Sequence, residues 1–571
     1  MRKLVSLLLA LSMVLCAVPA MAEVATSEPG TLPIVSEPTK LTIGIEQHTS
    51  VENWETNRMT TYLEEKTGLD LEFVVYPSGE MGTKLELIVA AGGDDLPDIL
   101  IGSFSQAQIM PWAEAGMILP LTEYYDSKVY WAEESLALTD AIDLETVRKY
   151  ITSYDGEIYG YFSFNGTHNN EHSPQRVNFY EPWLDQLGLS IPTNTDELYD
   201  VLVAIRDSDA NGNGVADEIP LTGYKDSVAN FRRWVMSPFV YTQDEYWTAT
   251  DGTIGVCFNT DEWREGLRYV RKLFSEGLVD PAMFTQDQNA LTITLSQDPQ
   301  IVGSFVRISA TNMSAEDPDR YNYIRSNYLL DSEGNGSAVI KPAMPSITAL
   351  VTKNCENPTA AFMFLDYMTS IEMSTITRYG YADEQYVAND VEAARAKYLD
   401  FWQNKAPKNL PEEFYGDDTD NPEYLPLNVN DYDGSVWGTL QNNWWQQVGP
   451  NIMTEELQNL FSISTPINTE REQLTYYNEY HARYTMTQAM KNVDYSKVVA
   501  GLVYTEDEQE VITDYYTEIK TFVESTWASY VTGTLDIEDD AAWNNYIQQL
   551  QKMNLEECIS AAQAAYDRQN Q

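Results

Sequence analysis

The chain is poor in cations, cysteine and histidine. Its 571 residues carry 35 Lys and Arg against 87 Asp and Glu, a formal net charge of −52. So acidic a surface repels phosphate backbones and anionic headgroups, which excludes nucleic acid as a partner. Of four cysteines, Cys16 falls in the leader. Cys257, Cys355 and Cys558 are an odd number without zinc spacing or a disulfide framework. They read as buried apolar thiols. His48, His168, His172 and His481 lack metal-ligand spacing. No G-x-S-x-G, H-E-x-x-H or phosphate-binding loop occurs. Two carboxylates could serve a glycoside hydrolase, but among 87 acids such pairs identify nothing. No repeat recurs at a fixed period.

Long apolar runs are also missing beyond the N-terminus. Arg2 and Lys3 precede an apolar stretch over 4–15, too short to span a bilayer, and an A-x-A site at Ala20, Met21 and Ala22. This is a secretory signal over 1–22, cleaved after Ala22. Leu15 before Cys16 is not the small residue a lipid-attachment cysteine follows, so no lipid anchor is expected there. A secreted protein follows, extracellular or periplasmic.

What is present is a globular composition, 43% hydrophobic and 21% charged. The length exceeds what one core usually supports, so two lobes are expected. Residues 23–40, rich in Pro, Ser, Thr and Glu, read as a flexible leader. Strands at 41–46, 69–76 and 98–101 alternate with helices at 56–66 and 84–91, the pattern of a parallel sheet with crossovers. Helices follow at 109–116, 181–187, 195–206 (capped by Thr195), 261–276 and 358–369, with a strand at 301–308. The C-terminal part is helix-rich, at 474–491, 507–532, 540–550 and 555–568.

The most specific stretch is DANGNGVADEIPL, residues 209–221. Asp209, Asn211, Asn213, the Val215 carbonyl, Asp217 and Glu218 place six oxygen donors within ten residues, with Gly212 and Gly214 between them. Glycine permits the turns that bring such donors inward. About six to eight hard oxygens suit Ca²⁺ better than Mg²⁺. Two registers are open. With Asp207 first, Glu218 closes the EF-hand pattern; with Asp209 first, Gly214 is sixth and Asp217 with Glu218 close the loop. The second is preferred. The bland alternative is an Asn/Gly turn between helix and strand. With no second such loop, the expectation is one structural Ca²⁺ away from any ligand.

Several landmarks then fall in one order: EEKTG at 64–68, LPDILIG at 96–102, WAEAGMILPL at 112–121, DGEIYGY at 155–161, WLDQLGL at 183–189, the metal loop with EIPLTGY, and a C-terminal block at 530–533, 543–546 and 565–568. The set resembles the large extracellular solute-binding proteins of family 1, capture subunits of ABC sugar importers, and within them the calcium-carrying, alginate-binding-type branch. The resemblance implies an α/β, type II periplasmic-binding-protein fold: two α/β lobes, a hinge and an interlobe cleft. Lobe 1 would comprise 41–160 and 309–355, and lobe 2 161–308 and 356–571. It also implies a monomeric, non-enzymatic carrier that hands an oligosaccharide to ABC permease subunits. A peptide-binding relative of the same fold is the runner-up, a secreted glycoside hydrolase the third reading.

Thirteen Trp, 37 Tyr and 17 Phe supply flat faces for sugar rings, although most must be core. By position beside strand ends and hinges, the ligand candidates are His48, Asn53, Trp54, Ser103, Phe104, Gln106, Phe162, Phe164, Asn165, Arg307, Trp437, Trp444 and Trp445. Arg176, Arg232, Arg233 and Arg307 are the arginines that could meet an acidic sugar. The acidic surface favours a neutral or mixed one.

Overall fold

The computed structural model describes residues 24–48, 51, 53–139, 142–166, 177–243, 245–307, 324–325, 327–340, 343–379, 449–454 and 491–570. Among the described residues twelve strands run in chain order as β1 (Thr39–Glu46), β2 (Leu69–Tyr76), β3 (Ile99–Phe104), β4 (Gly160–Gly166), β5 (Val177–Tyr180), β6 (Ile219–Thr222), β7 (Trp247–Thr250), β8 (Thr253–Val256), β9 (Val302–Val306), β10 (Ile324–Arg325), β11 (Ser346–Val351) and β12 (Ile452–Thr454). Six build the first sheet in the order β12-β4-β11-β3-β1-β2. β1 runs parallel to β2 and β3, β12 parallel to β4, and β11 antiparallel to both β3 and β4. The second sheet, β10-β5-β9-β6, has β6 parallel to β9 and the other pairs antiparallel; β7 and β8 form a hairpin.

Each sheet has its own core. The first gathers Ile43, Ile99, Leu100 and Leu350 with the helices Arg58–Thr67 and Pro358–Met368. The second gathers Val177, Leu221, Phe231, Trp263 and Trp527 with helices from Thr195–Arg206 to Leu555–Gln569. Local signals explain the frames. Asn57 caps Arg58–Thr67, and Gly68, at φ +77°, ends it. Asn194, rather than the expected Thr195, caps Thr195–Arg206 through the amides of Asp196 and Glu197.

The expected lobe limits shift in four places. β4 continues to Gly166 within the first sheet, and Pro358–Met368 and β12, both placed by sequence in the second lobe, lie in the first core and the first sheet; β10, placed in the first lobe, joins the second sheet, with Leu329 in the second core. Every residue from Ala360 to Met368 is buried, so this helix is covered all round. The leader also differs from expectation. Ile34 and Val35 are buried, Val35 donates its N–H to the Thr67 carbonyl at 3.2 Å, and Val24 N–H reaches Asn357 Oδ1 at 3.0 Å. Polar composition suggested flexibility, but two adjacent aliphatic side chains suffice to dock the strap beside the first helix. The helix expected over 474–491 lies outside the described residues except Lys491. The one over 507–532 is two α-helices, Glu506–Val511 and Thr517–Thr532, joined by a π-turn at Ile512–Tyr516. Tyr516 there stacks on Trp247 with centroids 4.3 Å apart.

Asp366 ties the first core together. It is buried and accepts N–H bonds from Tyr130, Trp131 and Ala132 and the Tyr161 hydroxyl, at 2.9, 2.9, 3.1 and 2.7 Å. Burial pushes its carboxyl above the ordinary range, and these bonds partly offset the push. Asp366→Ala leaves four donors unanswered in a dry site. It should cost roughly 3 kcal/mol or more of stability, read by urea denaturation with tryptophan fluorescence.

Candidate functional site

Strand direction locates the site. β1, β3, β4 and β12 all end at one edge of the first sheet, and β11 begins there, with Ser346 opposite Ser163. The chain leaves lobe 1 from that edge after Gly166 and after Thr454, and returns to it at Ser346. In lobe 2, β5 starts at Val177 opposite Val306, so the entry edge also carries the ends of β9 and β6. Carboxyl ends of strands from both lobes therefore border the passages between lobes. Ligands of α/β sheets bind outside such ends.

On the lobe 1 edge, His48 follows β1, half-buried, in a turn folded around the Gln47 amide, which donates to the His48 and Val51 carbonyls at 3.0 and 2.8 Å. Ser103 is exposed and Phe104 half-buried at the end of β3, the Phe104 ring edge-on to Trp112 at 6.4 Å. Asn165 is half-buried opposite Met453, the middle rung of the β4–β12 ladder. On the lobe 2 edge, Arg307 is half-buried one residue beyond β9 and donates from Nη1 to Thr292 Oγ1 at 3.3 Å. Among the described residues no carboxylate pairs with it in an ion pair. Tyr224, just past β6, rests half-buried on Leu291, Leu295, Val302 and Phe305.

Other candidates serve the scaffold. Trp54 is 2% exposed and stacks on Phe73; Phe162 and Phe164 are 0% and 2% exposed. Asn53 turns its Oδ1 to the amides of Glu55 and Thr56. Gln106 bridges the Ile151 carbonyl and the Ser153 hydroxyl at 3.2 and 2.8 Å. Trp437, Trp444, Trp445 and Arg176 lie outside the described residues. Arg232 and Arg233 are buried; Arg232 lies between the rings of Tyr246 and Trp527, 5.1 and 5.7 Å from their centroids, so neither offers a free charge to a ligand. Sequence reasoning missed Tyr224 and Thr292. The signal for Tyr224 was the turn directly after the EIPLT strand.

The loop at 209–218 lies at the opposite, amino end of β6. Gly212 and Gly214 hold φ of +70° and +77°. Gly214 N–H donates to Asp209 Oδ2 at 3.0 Å, Asn213 N–H to Asn211 Oδ1 at 3.0 Å, and Val215 N–H to Asn213 Oδ1 at 2.7 Å. The Asn211 and Asn213 amides donate to Asp217 at 3.0 and 3.1 Å. Glu218 is 8% exposed, and its Oε2 is buried without a hydrogen-bond partner. Asp207 turns away to Arg206, which holds it below the usual carboxylate range. Among the described residues, no three His, Cys, Asp or Glu side chains close on one point as a metal cluster; the two asparagine amides sit between the acids.

A family model for bacterial extracellular solute-binding proteins matches residues 49–374, more than half of the chain. The chain belongs to that family. FusA, the fructooligosaccharide ABC transporter substrate-binding protein of Streptococcus pneumoniae serotype 4, is 29% identical over 235 residues, 40% of this chain and 42% of FusA. The matched segment thus spans about two-fifths of that relative. Among solved structures, a human-milk-oligosaccharide (HMO) binding solute-binding protein from Bifidobacterium longum infantis superposes with a TM-score of 0.65 at 17% identity, covering 93% of this chain and 99% of that one. The alginate-binding protein AlgQ2, solved without calcium, gives 0.60 at 20% identity, covering 95% and 100%. The solute-binding protein therefore has the type II periplasmic-binding fold, two α/β lobes with a hinge and a cleft. The family is one of binding proteins.

Burial separates scaffold from site in a measurable way. Phe162→Ala and Phe164→Ala should each lose about 3–5 kcal/mol of stability in chemical denaturation. Ser103→Ala, on the exposed edge, should stay within about 0.5 kcal/mol of wild type.

Proposed function

We propose that this solute-binding protein captures an oligosaccharide between its lobes and delivers it to the permease of an ABC importer. The observation that carries the reading is the meeting of strand carboxyl ends from both sheets at the interlobe passages, in a chain of this family. Ser103, Phe104, His48 and Asn165 line one side, and Arg307 and Tyr224 the other. An apolar ring face takes a sugar C–H face, while amide, hydroxyl and guanidinium groups take its hydroxyls. The fructooligosaccharide-binding relative supports a glycan over a peptide. Arg2 and Lys3 ahead of the apolar stretch over 4–15, with the A-x-A site behind it, support export through the leader, with cleavage after Ala22. The carrier works as a monomer, and its role needs binding and closure without covalent chemistry.

The test is titration calorimetry against neutral and uronate oligosaccharides and peptides, with product analysis of every bound glycan. Binding of a glycan without cleavage is expected, and Arg307→Ala or Phe104→Ala should weaken it about tenfold or more. Peptides binding where glycans do not, or hydrolysis, would overturn the reading.

The loop at 209–218 fits one structural Ca²⁺. Its residues supply oxygen donors: Asp217 Oδ1 accepts both asparagine amides, but Asp217 Oδ2 and the Asp209, Asn211 and Asn213 side-chain oxygens each keep a lone pair, and the buried Glu218 Oε2 lacks a partner. Asp209, Asn211, Asn213, the Val215 carbonyl, Asp217 and Glu218 would hold the ion. It would neutralise three acids and tie the end of Thr195–Arg206 to the start of β6, far from the sugar. Ca²⁺ at about a hundred times its dissociation constant should add about 2.7 kcal/mol of stability, and chelator should remove it. Thermal melts check this: Asp209→Ala and Glu218→Gln should abolish the Ca²⁺ shift, whereas Asp207→Asn should keep it.

A further inference from the structure

The chain passes between lobes through three neighbouring strands of the first sheet. In the order β12-β4-β11, β4 ends before the chain enters lobe 2, β11 begins after it has left, and β12 ends before it goes back. Buried polar side chains gather at this point: Ser163 on β4, Thr348 on β11 and Asn451 just ahead of β12. Ser163 Oγ lies 2.9 Å from Thr348 Oγ1 and 3.0 Å from the Gly449 carbonyl. The Asn451 backbone N–H donates to the same Oγ at 3.2 Å.

Counting protons fixes the directions. A hydroxyl has one hydrogen to give and two lone pairs to receive. The Gly449 carbonyl can only accept, so Ser163 gives its hydrogen there, and Thr348 must donate to Ser163. Ser163 Oγ is then fully used, tied to Thr348 on β11, to the Asn451 N–H just ahead of β12 (Asn451 Nδ2 also lies 3.4 Å away), and to the Gly449 carbonyl two residues earlier. The Asn451 side-chain amide adds a bond to the Gly449 carbonyl at 3.0 Å, and Phe164 N–H one to the Asn451 carbonyl at 3.0 Å.

Thr348 reaches this place through a β-bulge. Ile347 pairs with Phe162 and Ala349 with Tyr161, so Thr348 is the extra residue, and the register against β3 shifts at the same step. A bulge re-aims one side chain and sharpens the local twist. Gly160 makes room for it: a Cβ there would stand 2.2 Å from Ile347 Cγ2.

We propose that Ser163, Thr348 and Asn451 form a hinge pin that holds the crossing strands as one rigid unit and confines lobe opening to the chain beyond them. β12 is three residues long and among the described strands pairs with β4 alone; apart from the Ile452 N–H, which donates to Ser374 Oγ at 3.1 Å, these hydroxyl and amide bonds hold its seat as the lobes turn. Without them, the strand loosens and the lobes sample a wider range of separations. The inference rests on the two-lobe fold and not on the ligand, so its test uses the unliganded protein and stands apart from the sugar reading.

Spin labels at Glu86→Cys in lobe 1 and Glu556→Cys in lobe 2, both exposed, report the interlobe distance by double electron–electron resonance; the three described native cysteines are buried. Amide hydrogen exchange at Asn451 and Ile452 reports the seat of β12. Ser163→Ala and Thr348→Val should broaden the distance distribution and speed exchange at these amides about tenfold or more. Thr348→Ser, which keeps the hydroxyl, should match wild type in both. If both hydroxyl-less variants keep the wild-type distribution and exchange, even with lowered melting temperatures, the network is only structural and the proposal falls. Should Ser163→Ala fail to fold, Thr348→Val decides by the same two readings.

Discussion

β11 enters the first sheet between β3 and β4, antiparallel to both, on its way back from the second lobe. A strand in that position brings a row of amides and carbonyls into a dry interior, where each unpaired group costs free energy. Ladders on both sides satisfy them. The first core therefore closes only on a strand the chain reaches after building most of the second. Everything that gives the molecule its working geometry follows from this insertion. The two lobes are bound by crossing backbone, strand ends from both face the passages, and the loop at 209–218 is left at the far end of β6.

The shortage of cations shapes how buried charge is handled. Asp366 is held by backbone N–H groups and a tyrosine hydroxyl instead of by a lysine or arginine. Burial tends to raise Glu372, yet hydrogen bonds from Tyr62, Lys66 and Tyr367 bring it below the usual range. Buried arginines are committed to internal work. Arg264 is bonded to the Ile537 carbonyl and to Asp540, and Arg232 is sandwiched by aromatic faces. Beside it, burial and the Arg232 charge lower Arg233 to about 10. Against that background the half-buried Arg307 guanidinium bonds to a neutral hydroxyl, Thr292 Oγ1, and pairs with no carboxylate among the described residues.

The aromatic side chains differ in burial and not in type. Tyr125, Tyr161 and Phe362 pack ring on ring in the first core, and Trp543, Tyr546 and Tyr530 in the second. Such pairs add about 0.5–1.5 kcal/mol each beyond the area they bury. Phe104 and Tyr224 are of the same residue type but sit at strand ends with part of the ring uncovered.

By itself the sequence determined the local frames. The strands expected over 41–46 and 69–76 and the helices expected from 56 and 195 are found at 39–46, 69–76, 58–67 and 195–206, because periodicity and capping signals act within a few residues and leave the ends loose by about two. The turn at 209–218 was legible for the same reason: its oxygen donors and its two glycines, Gly212 and Gly214 with positive φ, are neighbours in the chain. Tertiary structure alone decided the rest. Whether Phe162 and Phe164 face a ligand or the core depends on β11 and β12 flanking β4, and those strands come some 180 to 290 residues later. Docking of Ile34 and Val35, the placing of Pro358–Met368 in the first lobe and the turning of Thr348 onto Ser163 likewise depend on partners far away in sequence. Side-chain fate at a sheet is set by what stacks on each face, and no local pattern records that.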